Sequence, residues 1–264
     1  VTTLAVGTGS NVFFGDTAGA VIRTTNSGNF WLASASLATS VNSLQLAPTY
    51  PTVDDVVVGG PAGDVYLSTN AGSTFAALAG GTALAGGAVY AAFDARYDAS
   101  ANTAVFAADN LGGVSRYVNS TDGWAVRDAG AGLFTGIAII AGPTGQQPAL
   151  YAADFTAAGL GVERSINPDG STLAARAFAS TGGAVSVLPA AATLGDDGTA
   201  WTAVARQGLW VQKTATVANL WVLDTSAGAG AEVLRTYTDN LAIQPALTGP
   251  ATASNIASPT AVTL

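Results

Sequence analysis

Thr24-Thr25-Asn26-Ser27-Gly28-Asn29-Phe30-Trp31 is matched further along by Ser68-Thr69-Asn70-Ala71-Gly72-Ser73-Thr74-Phe75. Both copies read Ser/Thr-x-Asn-x-Gly-x-x-Trp/Phe, and both follow a short apolar run, Ala20 to Thr25 and Asp64 to Ser68. The residue types are those of a tight turn. An Asn side chain accepts hydrogen bonds from backbone N–H groups two residues on, and a Ser or Thr hydroxyl does the same from the other side. Gly28 and Gly72 supply a positive φ that costs other residues roughly 1–2 kcal/mol. The aromatic at the end of each copy is expected to start the next strand and to pack between neighbouring units. Truncating it there should cost about 3–5 kcal/mol.

Three weaker copies follow. Asn119-Ser120-Thr121-Asp122-Gly123-Trp124 is shortened, and the copy from Ser165 to Leu173, with Asn167, Asp169 and Gly170, carries one inserted residue. Thr214 to Trp221 keeps the frame without the Asn or the Gly. The copies start at 24, 68, 119, 165 and 214, in steps of 44, 51, 46 and 49 residues. Between them run short segments rich in Val, Phe and Tyr, such as Asn11 to Gly15, Asp55 to Gly59 and Thr103 to Ala107, bounded by Gly, Asp or Asn. This is strand-and-turn chemistry, and helix candidates are poor. A period of about 40–50 residues with four short strands per unit predicts an all-β fold, a β-propeller. Residues 1–36 contain a full unit. Val41 to Pro48 with Asp54 to Gly60 reads as the first two strands of the next. Gly86 to Ala107, Thr135 to Ala153 and Val185 to Ala205 repeat that plan.

Five turns imply about five four-stranded blades, with six or seven left open. A sixth would need the Glu232 to Thr238 strand to begin another unit; alternatively that strand completes the first blade. The propeller is expected over 1–240. The Pro-punctuated segment 241–264 resembles the linker and first strand of an immunoglobulin-like or fibronectin-III-like module. With Val1 at the start, it suggests a processed chain that continues further.

The turns resemble the Asp-box, or BNR, repeat of sialidase-like and sortilin-like propellers. The likeness covers about residues 1–225, with two specific copies and three degenerate ones. It implies boxes on the rim, away from the central channel, in a structural role. Sialidases of that kind use an arginine triad, a Tyr nucleophile paired with Glu, and an Asp acid. Their early Phe/Tyr-Arg-Ile-Pro motif is missing, and Arg23 sits in Val-Ile-Arg-Thr-Thr, on a strand leading into a box. Only Glu163 and Glu232 are glutamates, and Glu163 and Arg164 are adjacent on a strand, so they point to opposite faces.

Composition excludes more. The 264 residues include no Cys, no His and no Met, so thiol nucleophiles, Ser-His-Asp triads and His-ligated metals are absent. A formal charge of −8, with Lys213 the only lysine, speaks against nucleic acid and anionic membranes as partners. Hydrophobic residues make up 49% and charged ones only 10%, which argues against disorder. No apolar stretch is long enough to span a bilayer. A glycosidase needs two carboxylates across a cleft; the candidates are Asp94, Asp98, Asp109, Asp154 and Asp197. For Asp94 and Asp98 the simpler reading is a solvated loop with a local ion pair to Arg96. Asp54-Asp55 and Asp196-Asp197-Gly198 are the paired carboxylates a Ca²⁺ site would use, although the second reads more simply as a hairpin turn. Asn119-Ser120-Thr121 fits a glycosylation acceptor but lies inside a degenerate box. No cofactor is expected.

Sortilin-like receptors would bring cysteine-rich modules, and photosystem-assembly propellers a basic patch. What remains is similar to bacterial or archaeal cell-surface proteins. The leading expectation is a non-enzymatic extracellular protein, a surface-layer, sheath or filament subunit that assembles with copies of itself. The alternative is a glycan- or protein-binding, adhesin-like module, with Trp201, Trp210, Tyr90 or Tyr151 at a rim or channel mouth. A glycoside hydrolase is the third reading.

Overall fold

A computed structural model describes residues 1–79, 84–111, 113–117, 123–128, 134–142, 147–154, 162–165, 168, 204–214, 217–224 and 233–240. These residues form antiparallel strands in five sheets, each a meander in chain order. The first sheet is β1 (Thr3–Val6), β2 (Val12–Gly15), β3 (Ala20–Thr24) and β4 (Leu32–Ser36). The second is β5 (Ser43–Leu46), β6 (Val56–Gly59), β7 (Val65–Ser68) and β8 (Ala76–Ala77). The third is β9 (Val89–Phe93), β10 (Val105–Asp109), β11 (Gly113–Tyr117) and β12 (Trp124–Asp128). Three described strands make the fourth, β13 (Phe134–Ile140), β14 (Ala149–Asp154) and β15 (Val162–Ser165). Three more make the fifth, β16 (Val204–Thr214), β17 (Val217–Asp224) and β18 (Val233–Asn240). The first strands of all five sheets line one central cavity, so the sheets stand radially around it as in a β-propeller.

Side chains alternate between the two faces of a strand, and the packing uses both faces. Val56 and Val58 enter a cluster with Phe13, Val21 and Val41, against the first sheet, while Val57 enters a cluster with Val89, Phe93 and Val105, against the third. Likewise Val105 and Ala107 face the second sheet, and Phe106 and Ala108 meet Phe134, Leu150 and Ala152 of the fourth. Tyr151 and Ala153 turn the other way, to Leu209, Ala218 and Leu220 of the fifth. Strands covered on both faces need continuous apolar runs rather than alternation, which is why Val56-Val57-Val58 and Val105 to Ala108 look as they do. Each buried Val or Phe among them contributes roughly 1.5–3 kcal/mol of burial.

Among the described residues, the two terminal sheets keep one face uncovered. On the first sheet, Leu4, Val6, Phe30, Trp31 and Leu32 are exposed, and Trp31 leans on Phe14 with ring centroids 5.3 Å apart. On the fifth, Leu209, Ala218 and Leu220 are buried, whereas Trp210 and Leu234 on the opposite face are exposed.

The structure departs from the sequence reading in the last sheet. Thr214 to Trp221 is not a box between third and fourth strands. Thr214 pairs with Val217 and Trp210 with Trp221, so this segment forms the hairpin from β16 into β17, and Trp221 lies mid-strand. Without the Asn and the Gly there is nothing to hold the box turn, and the alternation through Val217, Asn219 and Trp221 favours continuous pairing. The strand expected at Glu232 to Thr238 is β18, paired along its length with β17. It therefore begins no further unit and does not complete the first sheet. Most of Val185 to Ala205, and all of 241–264, lie outside the described residues. No helix of the described residues is long and apolar enough to cross a membrane.

Candidate functional site

The central cavity has a volume of about 260 Å³. β5 contributes Ser43 and Gln45, β9 contributes Tyr90, β13 contributes Ile137, and β1 and β16 contribute Leu4 and Trp210. None of its lining residues among the described residues is charged. Two of the polar groups also bridge neighbouring sheets: Ser43 Oγ accepts the Ala91 N–H at 2.9 Å, and Gln45 Oε1 accepts the Phe93 N–H at 2.7 Å. Because β5 alternates, Ser43 and Gln45 fall on one side of the strand and Leu44 on the other. Of the aromatics expected at a channel mouth, Tyr90 and Trp210 reach this cavity. Tyr151 is fully buried between the fourth and fifth sheets, with its hydroxyl donating to Asp239 Oδ2 at 2.7 Å, and Trp201 lies outside the described residues.

The two strong boxes connect third to fourth strands, away from the cavity, and have the same geometry. In the first, the Thr24 hydroxyl donates to Asn26 Oδ1 at 2.8 Å and accepts the N–H groups of Asn26 and Gly28 at 3.3 and 3.0 Å. Asn26 Oδ1 accepts the Phe30 N–H at 2.9 Å. In the second, Ser68 Oγ donates to Asn70 Oδ1 at 2.9 Å and accepts from Asn70 and Gly72 at 3.3 and 2.8 Å, and Asn70 Oδ1 accepts the Thr74 N–H at 2.9 Å. The Asn thus reaches four residues on rather than two. Ser27 and Gly28, and Ala71 and Gly72, all have φ between 54° and 86°, the left-handed pair that a type I′ turn requires.

The trailing aromatics differ. Trp124 is buried between the second and third sheets and donates from Nε1 to the Leu78 carbonyl at 2.8 Å. Phe75 packs with Phe13 between the first and second sheets. Trp31 is 41% exposed, contrary to expectation, because no sheet of the described residues covers its side of the first one. Gly123, with φ 61°, leads into β12. Asp122, Asn167, Asp169 and Gly170 lie outside the described residues.

Of the carboxylates weighed for hydrolysis, Asp94, Asp98 and Asp109 are held by local partners, while the Asp154 side chain and Asp197 lie outside what the structure describes. Buried Asp94 is paired with Arg96 at 3.2 Å. Asp98 accepts the N–H groups of Ser100 and Asn102, both at 2.9 Å, and these backbone bonds lower its pKa. Asp109 accepts from Gly87 and Leu111 at 3.2 and 2.8 Å. Asp55, buried, accepts the Tyr97 hydroxyl at 2.5 Å. Burial raises the Asp55 pKa; burial together with that hydrogen bond raises the Tyr97 phenol. Among the described residues no group of three or more acidic, His or Cys side chains could hold a metal ion, and Asp196-Asp197 lies outside them.

Arg23 ties the first sheet to the second box: Nη1 donates to the Ala71 carbonyl and Nη2 to Ser73 Oγ at 3.2 Å. Two further glycines carry structure that the box pattern did not reveal. A Cβ on Gly15 would lie 2.3 Å from Val41 Cγ1, and one on Gly59 would lie 2.3 Å from the Val89 carbonyl. Both close the second strand of a sheet where the next sheet approaches. Their spacing equals the 44-residue step between the first two boxes, so the repeat itself was the signal.

No protein family matches the chain, and no curated protein matches it. Solved structures do. The GH74 enzyme of Niastella koreensis is similar at a TM-score of 0.44 and 20% identity, over 60% of this chain and 22% of that one. A chain of the mitotic checkpoint complex gives 0.55 and 9%, over 89% and 62%. YCF48 bound to D1 peptide gives 0.47 and 13%, over 90% and 66%. This chain therefore spans less than a quarter of the GH74 chain's length. The five radial sheets, with the similarity to the chain of the mitotic checkpoint complex, establish an all-β, propeller-type fold, and at 9% identity that similarity carries the fold alone.

Proposed function

We propose that this chain is a non-enzymatic extracellular structural protein whose propeller assembles with copies of itself, as a surface-layer, sheath or filament subunit would. One observation carries the reading. Eight of the nine large hydrophobic side chains exposed among the described residues, Leu111 being the exception, belong to the first and fifth sheets or to the segments entering them; Leu4 and Trp210 of these line the central cavity, and the proposed contact rests on the others. Scattered exposed apolar residues need no explanation, but a cluster does. Phe30, Trp31 and Leu32 sit at the outer edge of the first sheet and Leu234 on the outermost described strand of the fifth. The occupant proposed for this rim is a second copy of the chain. Its side chains are those that fill the chain's own inter-sheet clusters, and with 10% charged residues there is little repulsion to oppose lateral packing. The edge strand β4 also offers backbone groups for strand-to-strand addition.

The test is sedimentation velocity across a concentration series, with electron microscopy of the same samples. Oligomers or filaments are expected, and Trp31→Glu with Leu234→Lys should shift the population to monomer while the melting temperature stays within a few degrees. A wild-type chain that stays monomeric at every concentration would refute the reading.

A further inference from the structure

We infer that the central cavity is a binding site for a neutral pyranose sugar. This is independent of self-assembly, because it uses the inner strands and not the outer rim. Three features select the ligand class. First, none of the described residues that line the cavity is charged, so an ionic ligand would be desolvated among them without a counter-charge. Second, the lining is not apolar throughout. Gln45 has its carbonyl oxygen fixed by the Phe93 N–H, and its two amide N–H donors have no partner among the described residues. Ser43 accepts from Ala91 and keeps its hydroxyl proton to donate. A purely hydrocarbon ligand would leave these donors unpaired, at a cost that a hydroxylated one avoids. Third, the Trp210 indole is 53% exposed in the same lining. An indole face beside oriented donors suits a ring with one apolar face and a rim of hydroxyls. The volume of about 260 Å³ lies just below the roughly 300–1,000 Å³ of pockets for drug-sized molecules, which suits one sugar ring rather than a chain of them.

The experiment titrates the full chain with glucose, galactose, mannose and N-acetylglucosamine, with N-acetylneuraminic acid as the anionic comparison. Tryptophan fluorescence and calorimetry are the readouts, and an array of neutral glycans is probed in parallel. At least one neutral sugar should give a saturable shift, abolished in Trp210→Ala. Gln45→Glu keeps an acceptor for the Phe93 N–H but loses the donors, so it should weaken binding at least tenfold with the melting temperature unchanged. A response to free sugar identifies a monosaccharide ligand. A response on the array alone identifies the terminal residue of a glycan. No saturable response from any neutral sugar in either format, undiminished binding by Trp210→Ala, or preference for the anionic sugar would each overturn the inference.

Discussion

Gly28 and Gly72 occupy the same place in two nearly identical turns, yet their surroundings differ. Both have positive φ, so a Cβ at either is strained by roughly 1–2 kcal/mol. At Gly28 the nearest atom to such a Cβ is on Trp31 at 3.6 Å, whereas at Gly72 it is Phe13 Cε1 at 3.0 Å, inside a packed cluster. Gly72→Ala should therefore lower stability more than Gly28→Ala, by about 1 kcal/mol or more once overpacking is added. Urea denaturation of the two variants measures the difference, and equal midpoints would refute it. Asp55 makes a second prediction at this scale. Burial raises its folded pKa above the ordinary value of 3.8. The folded state then holds the proton to higher pH than the unfolded chain does. The stability this contributes is fully present below 3.8 and is lost as pH rises through the folded value. Asp55→Asn keeps an acceptor for Tyr97 but cannot titrate. The wild-type melting temperature minus that of the variant should be largest in acid and fall toward neutrality. A difference that rises with pH would contradict the assignment.

Between elements, the fourth and fifth sheets are joined by a polar contact as well as by apolar packing. Asp239 on β18 is buried, and both its oxygens accept from Arg164 Nη1 of β15, at 2.8 and 2.7 Å. The Tyr151 hydroxyl of β14 adds a third bond. Such a pair adds little over a well-packed apolar substitute, but removing one partner strands a buried charge, at about 3–5 kcal/mol. Arg164→Met should lower the unfolding free energy by about that amount, while Arg164→Met combined with Asp239→Leu recovers part of it. If the double variant is no more stable than the single one, the contact is not coupled as described. Sequence reading placed Glu163 and Arg164 on opposite faces of a strand and so found the element. It did not find the partner, because Asp239 is 75 residues away and only the pairing of β18 onto β17 brings it there.

Across the whole molecule, four inter-sheet clusters join consecutive sheets, and the outward faces of the first and fifth sheets are uncovered among the described residues. Both of those sheets reach the central cavity through their first strands. The rim and the cavity thus carry separable properties: rim substitutions address association, and Gln45 and Trp210 address sugar binding. Loss of both properties in any one variant would indicate unfolding rather than either function.

The sequence by itself determined the strand content, the unit boundaries through β14, and the two box turns, because these depend on local chemistry: period-2 apolar runs, hydroxyl and amide side chains close in sequence to the N–H groups they bind, and glycine where φ is positive. It also carried the close-approach glycines, Gly15 and Gly59, in the register of the repeat. Only the tertiary structure decided which aromatics are buried, since Trp31 and Trp124 end similar turns but, among the described residues, only Trp124 has a second sheet packed against it. It alone decided that Thr214 to Trp221 is a hairpin: the missing Asn and Gly release the box turn locally, but the pairing of β17 with both β16 and β18 fixes the segment as strand. The cavity is likewise a tertiary fact. Its lining comes from five strands that lie far apart in the chain and whose inward side chains carry no motif until the sheets stand around a common centre.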